Sequence, residues 1–240
     1  MKEFVKTIIL ILGRFICGNK RSKVIYYHDV HEDEKHQYTE MSTPLSLFIK
    51  HIRIIRSYNY DIVNQIIQPN RQIQIAFDDG FRGIYDNKDF FVKEHIYPTI
   101  FIATSLIGQP NYLNIEEIFE LKRLGFNFQC HSKSHSNLSK FNVKELEDEI
   151  VNSKKELETI LKSEIDSICF PQGYFSDLVL KVCESAGYKW FYSSIPGPFN
   201  KNCKLVYRNL CQFASPLQFK LILNGGMFIL KNHYKSLHYS

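Results

Sequence analysis

Residues 73–80 read Ile73-Gln74-Ile75-Ala76-Phe77-Asp78-Asp79-Gly80. A run of strand length, rich in branched and aromatic side chains, stops at two carboxylates and a glycine. That composition predicts a strand over 73–79, with the glycine opening the turn behind it. The next run, residues 99–107 (TIFIATSLI), is close to continuously apolar. Such a run is expected of a strand covered on both faces, as in a parallel sheet.

Outward from this pair the same alternation repeats. Strands are predicted at 24–30 (VIYYHDV), 127–132, 167–171, 188–194 and 205–210, which makes seven. Helical signals fall between them. Residues 44–57 carry Leu47, Ile52 and Ile55 at helical spacing, and a helix follows the Asp-Asp-Gly turn over 83–94. Asn114 is an N-cap for 115–124, with Glu117 in the capping-box position and Gly125 as the stop. Asn142 caps a long charged helix over 143–162, and Ser176 caps 177–186, which Gly187 ends. Residues 216–231 are helical on either side of Gly225-Gly226. Seven strand–helix units in one chain predict an α/β fold, a (β/α)7 barrel in preference to an open sheet.

The bulk properties agree with one globular unit. The chain has 240 residues, 44% hydrophobic and 23% charged, which excludes a disordered or collagen-like polymer. No apolar run reaches the roughly 18–20 residues that span a bilayer. The net charge of +5 is scattered, so a dedicated nucleic-acid binder is not expected. Cys17, Cys130, Cys169, Cys183, Cys203 and Cys211 form no CxxC pair and are expected as buried, reduced thiols. This points to a cytoplasmic protein, with association at the inner membrane face as a further expectation. Residues 1–22 stand apart from the domain at 23–240. Within them, residues 3–17 are expected to form an amphipathic helix that packs on the domain or makes peripheral membrane contact through residues 1–20. Ile16 before Cys17 is a poor lipoprotein cleavage site.

Polar residues gather at the C-terminal ends of the predicted strands, the face on which α/β barrels build active sites. At Asp78-Asp79 one carboxylate is free to hold a metal while the other faces substrate; the plain alternative is a turn with an aspartate cap. His131-Ser132-Lys133-Ser134-His135 places two imidazoles four residues apart, on one side if the segment turns helically. The alternative is a pair of solvated loop histidines. Two histidines and one aspartate leave open positions on a bound ion, the layout of a catalytic metal. Pro171-Gln172-Gly173 fixes a turn at another strand end; it is either a turn alone or one that aims a backbone N–H, that of Gln172, at a developing oxyanion.

In order, AFDDGF, PTIFIATSLIG, NYLNIEEI, GFNFQCHSKSHSNLS, SKKELE, ICFPQG and AGYKWFYSS resemble the polysaccharide deacetylases of the NodB-homology type. The resemblance runs from about residue 24 to 210. It implies a distorted (β/α)7 barrel, Asp78 as general base, and Asp79, His131 and His135 as metal ligands. It also implies Pro171, Gln172 and Gly173 as the acetyl pocket with an oxyanion N–H. The implied metal is Zn²⁺, with Ni²⁺, Co²⁺ or Fe²⁺ as the other candidates. Many members carry an arginine two residues before this proline, oriented against the base; here the position is Cys169. Arg208 is the candidate replacement, against the alternative of a surface arginine. Many members end in Leu-x-His, whereas Ser236-Leu237-His238-Tyr239 has other spacing in a tail expected to fray. His28 is the better candidate acid, since Tyr27-His28 resembles the N-terminal motif of the biofilm poly-N-acetylglucosamine deacetylase branch. Its alternative is a strand-end histidine bonded to Asp29. The implied reaction is N-acetyl hydrolysis on an amino sugar of a surface polysaccharide or its precursor, by a monomer. A non-catalytic carbohydrate binder and an O-acetyl esterase are the competing readings.

Overall fold

A computed structural model describes residues 2–240. The strands are β1 (Lys23–Tyr27), β2 (Asp29–His31), β3 (Ser42–Pro44), β4 (Asp61–Ile62), β5 (Gln72–Phe77), β6 (Thr99–Ile102), β7 (Asn127–Cys130), β8 (Ser167–Cys169), β9 (Trp190–Tyr192), β10 (Leu205–Val206) and β11 (Arg208–Leu210). The main sheet runs β10-β9-β8-β7-β6-β5-β1-β11, and every pairing along it is parallel. Its two end strands are consecutive pieces of one segment, parted only by Tyr207. The row therefore returns to its start, with seven strand positions around an irregular barrel. The β7–β8 contact is a single residue pair, Cys130 with Ile168, which is where the ring is weakest.

Alternate residues of each strand serve two cores. Inside the ring lie Val24, Tyr26, Ala76, Phe101, Cys169, Tyr192 and Val206. Outward, Ile25, Tyr27, Ile73, Ile75, Phe77, Ile100 and Ile168 pack against the helices. Both faces of β1 and β5 are buried along their whole length, which explains the near-continuous apolar runs in the sequence. Each fully buried side chain of this size contributes about 1.5–3 kcal/mol. One amine is buried on the outer face of the sheet, under the helices. Lys23 is fully buried, donates to the Leu223 carbonyl at 2.6 Å and to Tyr60 Oη at 3.2 Å, and burial lowers its pKa to about 7.

The predicted elements recur with local changes. The capping boxes Asn114–Glu117 and Asn142–Glu145 form, and Ser176 caps its helix. The run 99–107 is a strand only to Ile102; a 3-10 turn (Thr104–Leu106) follows, because Thr104 and Ser105 donate their N–H groups to the Ser132 and Lys133 carbonyls. The helix expected over 83–94 breaks at Asn87, whose amide bonds back to the Gly83 carbonyl at 2.8 Å. The long helix at 143–162 contains a π segment, Glu147–Asn152. The tail does not fray: the helix Lys231–His238 is tied down by Phe175 N–H to the His238 carbonyl at 2.9 Å and by Tyr239 Oη to Asp177 at 2.6 Å. All six cysteines are free; Cys17 and Cys203 are half-buried and the other four buried.

The helix Lys2–Cys17 lies against Gly226–Leu230. Glycine is required on both sides of that contact. A Cβ at Gly13 would stand 2.0 Å from the Gly226 carbonyl oxygen, and one at Gly226 would stand 2.6 Å from the Leu10 carbonyl oxygen.

Candidate active site

The C-terminal ends of β5, β7, β8 and β11 meet at one mouth. Asp78 follows β5 directly, its N–H held by the Tyr27 carbonyl at 3.0 Å. Asp79 turns left-handed at φ 70°, so its carboxylate leaves in a different direction. Gly80, at φ 76°, continues that turn; a Cβ there would meet Ile102 Cδ1 at 2.5 Å. The two neighbouring carboxylates thus acquire different partners.

Asp78 is paired with Arg208. Nη1 reaches Oδ1 at 2.6 Å and Nη2 reaches Oδ2 at 2.9 Å, with both side chains buried. A third donor, Nε, is held by the Ser193 carbonyl at 3.0 Å, and the guanidinium lies over the Tyr26 ring at 4.1 Å. Arg208 is not a surface residue; it reaches Asp78 from the last strand. Burial pushes the Asp78 carboxyl up, but the Arg208 charge, then His131, outweigh it and hold the carboxyl below its ordinary value. Burial lowers Arg208 in turn, and Asp78 more than restores it. Cys169, at the position where an arginine was expected, sits with Sγ 3.8 Å from Asp78 Oδ1; burial pushes its thiol well up, so it is a neutral wall.

Asp79, His131 and His135 form the second group. Asp79 Oδ1 lies 3.2 Å from His131 Nε2 and 2.9 Å from His135 Nε2. Their convergence does not come from a helical turn. Ser132 and His135 are left-handed, at φ 64° and 60°, and the buried Glu149 carboxylate accepts the N–H groups of Lys133 (3.1 Å) and Ser134 (2.9 Å). Glu149 was not singled out from sequence; it lies on the π segment, sixteen residues from the loop it shapes.

These three residues fit a divalent cation. His131 Nδ1 donates to the Cys169 carbonyl at 2.8 Å, so its Nε2 presents a lone pair toward Asp79. Asp79 Oδ1 is buried and receives no well-directed N–H, although both imidazole Nε2 atoms stand within 3.2 Å of it. Lone pairs that face one another in a buried space repel unless a positive charge lies between them. All three donor atoms fall within 4.8 Å of one another. An N2O set with open positions suits zinc-class ions.

His28 follows β1. Its Nδ1 is 2.5 Å from Gln212 Oε1, not bonded to Asp29, and as donor to that amide it leaves Nε2 free. His28 also contributes to the field that lowers Asp78. Gln212 is buried, its backbone carbonyl held by Thr43 Oγ1 at 3.0 Å; nothing in its sequence context marked it. Pro171–Gly173 forms a 3-10 turn in which Gln172 is left-handed at φ 56°. The Gln172 side-chain amide donates to the His135 carbonyl at 3.3 Å and ties this turn to the histidine loop. His238 Nδ1 lies 2.9 Å from where a Gly173 Cβ would stand.

Asp29 instead accepts from Ser42 Oγ at 3.1 Å, and Ser42 Oγ is 2.8 Å from His31 Nδ1. Burial, the largest cause, lifts Asp29 to about 7. Its folded pKa exceeds its unfolded value near 4, so the native state retains a proton that the unfolded chain releases. Stability from this group is full below about pH 4 and falls as pH rises toward 7. Asp29→Asn is expected to stabilise the protein by about 2–4 kcal/mol at pH 8 and to change little at pH 4. Urea unfolding at both pH values checks this; equal effects at the two would show that Asp29 is ionised and paired.

Known proteins match this chain at the level of family, sequence and fold. The family model described as Polysaccharide deacetylase matches residues 66–191. That stretch holds Asp78, Asp79, His131, His135 and Pro171–Gly173 but neither His28 nor Arg208. The protein named Putative polysaccharide deacetylase YxkH, from Bacillus subtilis (strain 168), is 22% identical over 190 residues, 75% of this chain; the chain spans 66% of that relative's length. Among solved structures, Streptococcus pyogenes deacetylase PplD in complex with acetate superposes with a TM-score of 0.74 at 19% identity, over 85% of this chain and 98% of that one. The polysaccharide deacetylase BC0361 from Bacillus cereus gives 0.72 at 19% identity, over 85% and 69%. At these identities the structural likeness is one of fold.

Proposed function

The chain belongs to the polysaccharide deacetylase family, and from that premise we propose that it hydrolyses N-acetyl groups on an amino sugar in a polysaccharide or its glycan precursor. The observation that carries this reading is the pairing of two differently equipped carboxylates: Asp78 clamped by Arg208, and Asp79 converging with His131 and His135.

In this reading Asp79, His131 and His135 hold a divalent cation, Zn²⁺ by the character of the donors. When bound, such an ion supplies a Lewis acid that acidifies water and polarises an acyl oxygen. Asp78 accepts the proton of the attacking water. Its clamp by Arg208 keeps the carboxylate ionised and oriented, with one lobe of each oxygen left for that proton. The Gln172 turn offers a backbone N–H to the developing oxyanion. His28, with Nδ1 held by Gln212, gives its Nε2 proton to the leaving nitrogen, which an amide requires because an amine anion is a poor leaving group. The products are acetate and a free amino sugar.

The test is to measure acetate and free amine together on N-acetylated amino-sugar oligosaccharides and on O-acetylated saccharides. The proposal expects one amine per acetate from the N-acetylated set. Acetate from the O-acetylated set alone would assign an esterase. Neither product from a metal-loaded protein would assign a carbohydrate-binding relative.

A further inference from the structure

The helix Lys2–Cys17 faces the wrong way for an ordinary surface helix. Its packing side is Leu10 and Gly13, buried against Gly226–Leu230, with Thr7 and Cys17 half-buried beside them. Opposite lie Phe4, Val5, Ile8, Ile11, Leu12, Phe15 and Ile16, all exposed; Phe4, Phe15 and Ile16 are 71%, 83% and 70% accessible. At 100° per residue these seven fall within an arc of about 140°. No charged residue lies in that arc. Glu3, Lys6 and Arg14 fall outside it. A soluble helix points its charges outward and its apolar stripe inward; here the outward arc is wholly apolar over about 18 Å of helix.

The charge around the arc identifies its partner. The N-terminal helix packs on the helix Pro216–Leu223 and on Gly226–Leu230, and Gln218 Nε2 bonds Glu3 at 2.9 Å and Thr7 at 3.0 Å. Residues 3–21 and 213–240, which make up this layer, contain seven Lys and Arg and one acid, Glu3. Their net +6 exceeds the +5 of the whole chain, so the remaining residues together carry −1. A helix face of large apolar side chains on segments of net charge +6, whose one acid is hydrogen-bonded to Gln218, is complementary to anionic lipid: headgroups meet the bases and the outer acyl region meets the phenylalanines. Beside the arc, a groove of about 360 Å³ lined by Val5, Ile9, Leu10, Met227, Leu230 and Tyr234, with Lys6 at its rim, extends the apolar surface inward. No helix among the described residues is long and apolar enough to cross a bilayer.

We propose that the helix Lys2–Cys17 is an in-plane anchor that docks this protein on an anionic lipid surface through Phe4, Ile8, Leu12, Phe15 and Ile16. The inference is independent of the chemistry assigned to the barrel.

The test is sedimentation of the full chain with vesicles of phosphatidylcholine containing about one third phosphatidylglycerol, and with pure phosphatidylcholine. The anchor predicts binding to the anionic vesicles, weaker binding to the neutral ones, and loss of the difference at high salt. Phe4→Ser/Phe15→Ser/Ile16→Ser, at exposed positions that cost the fold nothing, should weaken partition at least about tenfold. Its unfolding midpoint should match that of the wild type. The reading is overturned if the wild type fails to sediment with anionic vesicles, or if the triple variant binds them equally well. It is also overturned if light scattering shows a dimer that the triple variant dissolves, because the arc then belongs to a second copy of the chain.

Discussion

Asp78→Asn is expected to reduce kcat by about 10²–10⁴, the range associated with loss of a general base, with the bound-metal content unchanged. Asparagine keeps the size of the carboxylate and can still accept one bond from Arg208, yet it has no second anionic oxygen to take a proton. Asp79 and the two histidines do not touch Asp78 through a hydrogen bond, so their donor set survives the change. Steady-state kinetics with metal analysis of the same preparation checks the prediction. Turnover within a few-fold of wild type would remove Asp78 from the chemistry. Loss of metal together with activity would move Asp78 into the ligand set.

Arg208→Met tests the other half of that pair, and its largest effect is on stability. The substitution leaves the buried Asp78 carboxylate with no counter-charge, a situation that costs about 3–5 kcal/mol. The sign of its pH dependence follows. In the wild type, Asp78 has a lowered folded pKa, so its contribution is present above its unfolded value near 4 and is lost as pH falls through the folded value. Without the guanidinium, burial dominates and the folded pKa rises, so the variant loses stability as pH climbs past about 4. Urea unfolding should therefore show a deficit at pH 8 larger than at pH 5. The double variant Arg208→Met/Asp78→Asn should recover part of it, since no buried charge remains. A deficit below about 1 kcal/mol at pH 8 would mean that the ion pair does not hold Asp78.

Most of the barrel was legible because its strands are buried on both faces and its helices carry explicit caps. IQIAFDD and the Asn114, Asn142 and Ser176 caps needed only local chemistry. Where the fold departs from expectation, distant partners decide. Residues 103–107 leave the strand because the histidine loop supplies the carbonyls that Thr104 and Ser105 bond. The H-x3-H pair converges through left-handed residues clamped by Glu149, an arrangement that spacing in the sequence cannot express. The tail is fixed by Phe175 and Asp177, each more than sixty residues away.

The candidate site divides the same way. Asp78, Asp79, His131 and His135 stood out as motifs at strand ends. Arg208 could be proposed only because Cys169 left a guanidinium missing; its bidentate reach to Asp78 spans 130 residues of chain. Gln212 gave no signal at all. A buried glutamine beside a cysteine is unremarkable until His28 Nδ1 is seen to rest on it. The N-terminal helix carried two readings in its sequence, packing or lipid contact. Its two opposed faces, with Gly13 against Gly226 and Phe15 outward, allow both at once.

The most direct test of the site is metal stoichiometry, because it needs no knowledge of the substrate. Purified wild-type protein, stripped and reloaded with Zn²⁺, is compared with His131→Ala and His135→Ala, each checked for an intact fold by its unfolding transition. About one ion per chain in the wild type and loss of high-affinity binding in both variants is the expected result. Folded wild-type protein that binds no ion after reloading, or variants that bind as tightly as wild type, would contradict the assignment of Asp79, His131 and His135.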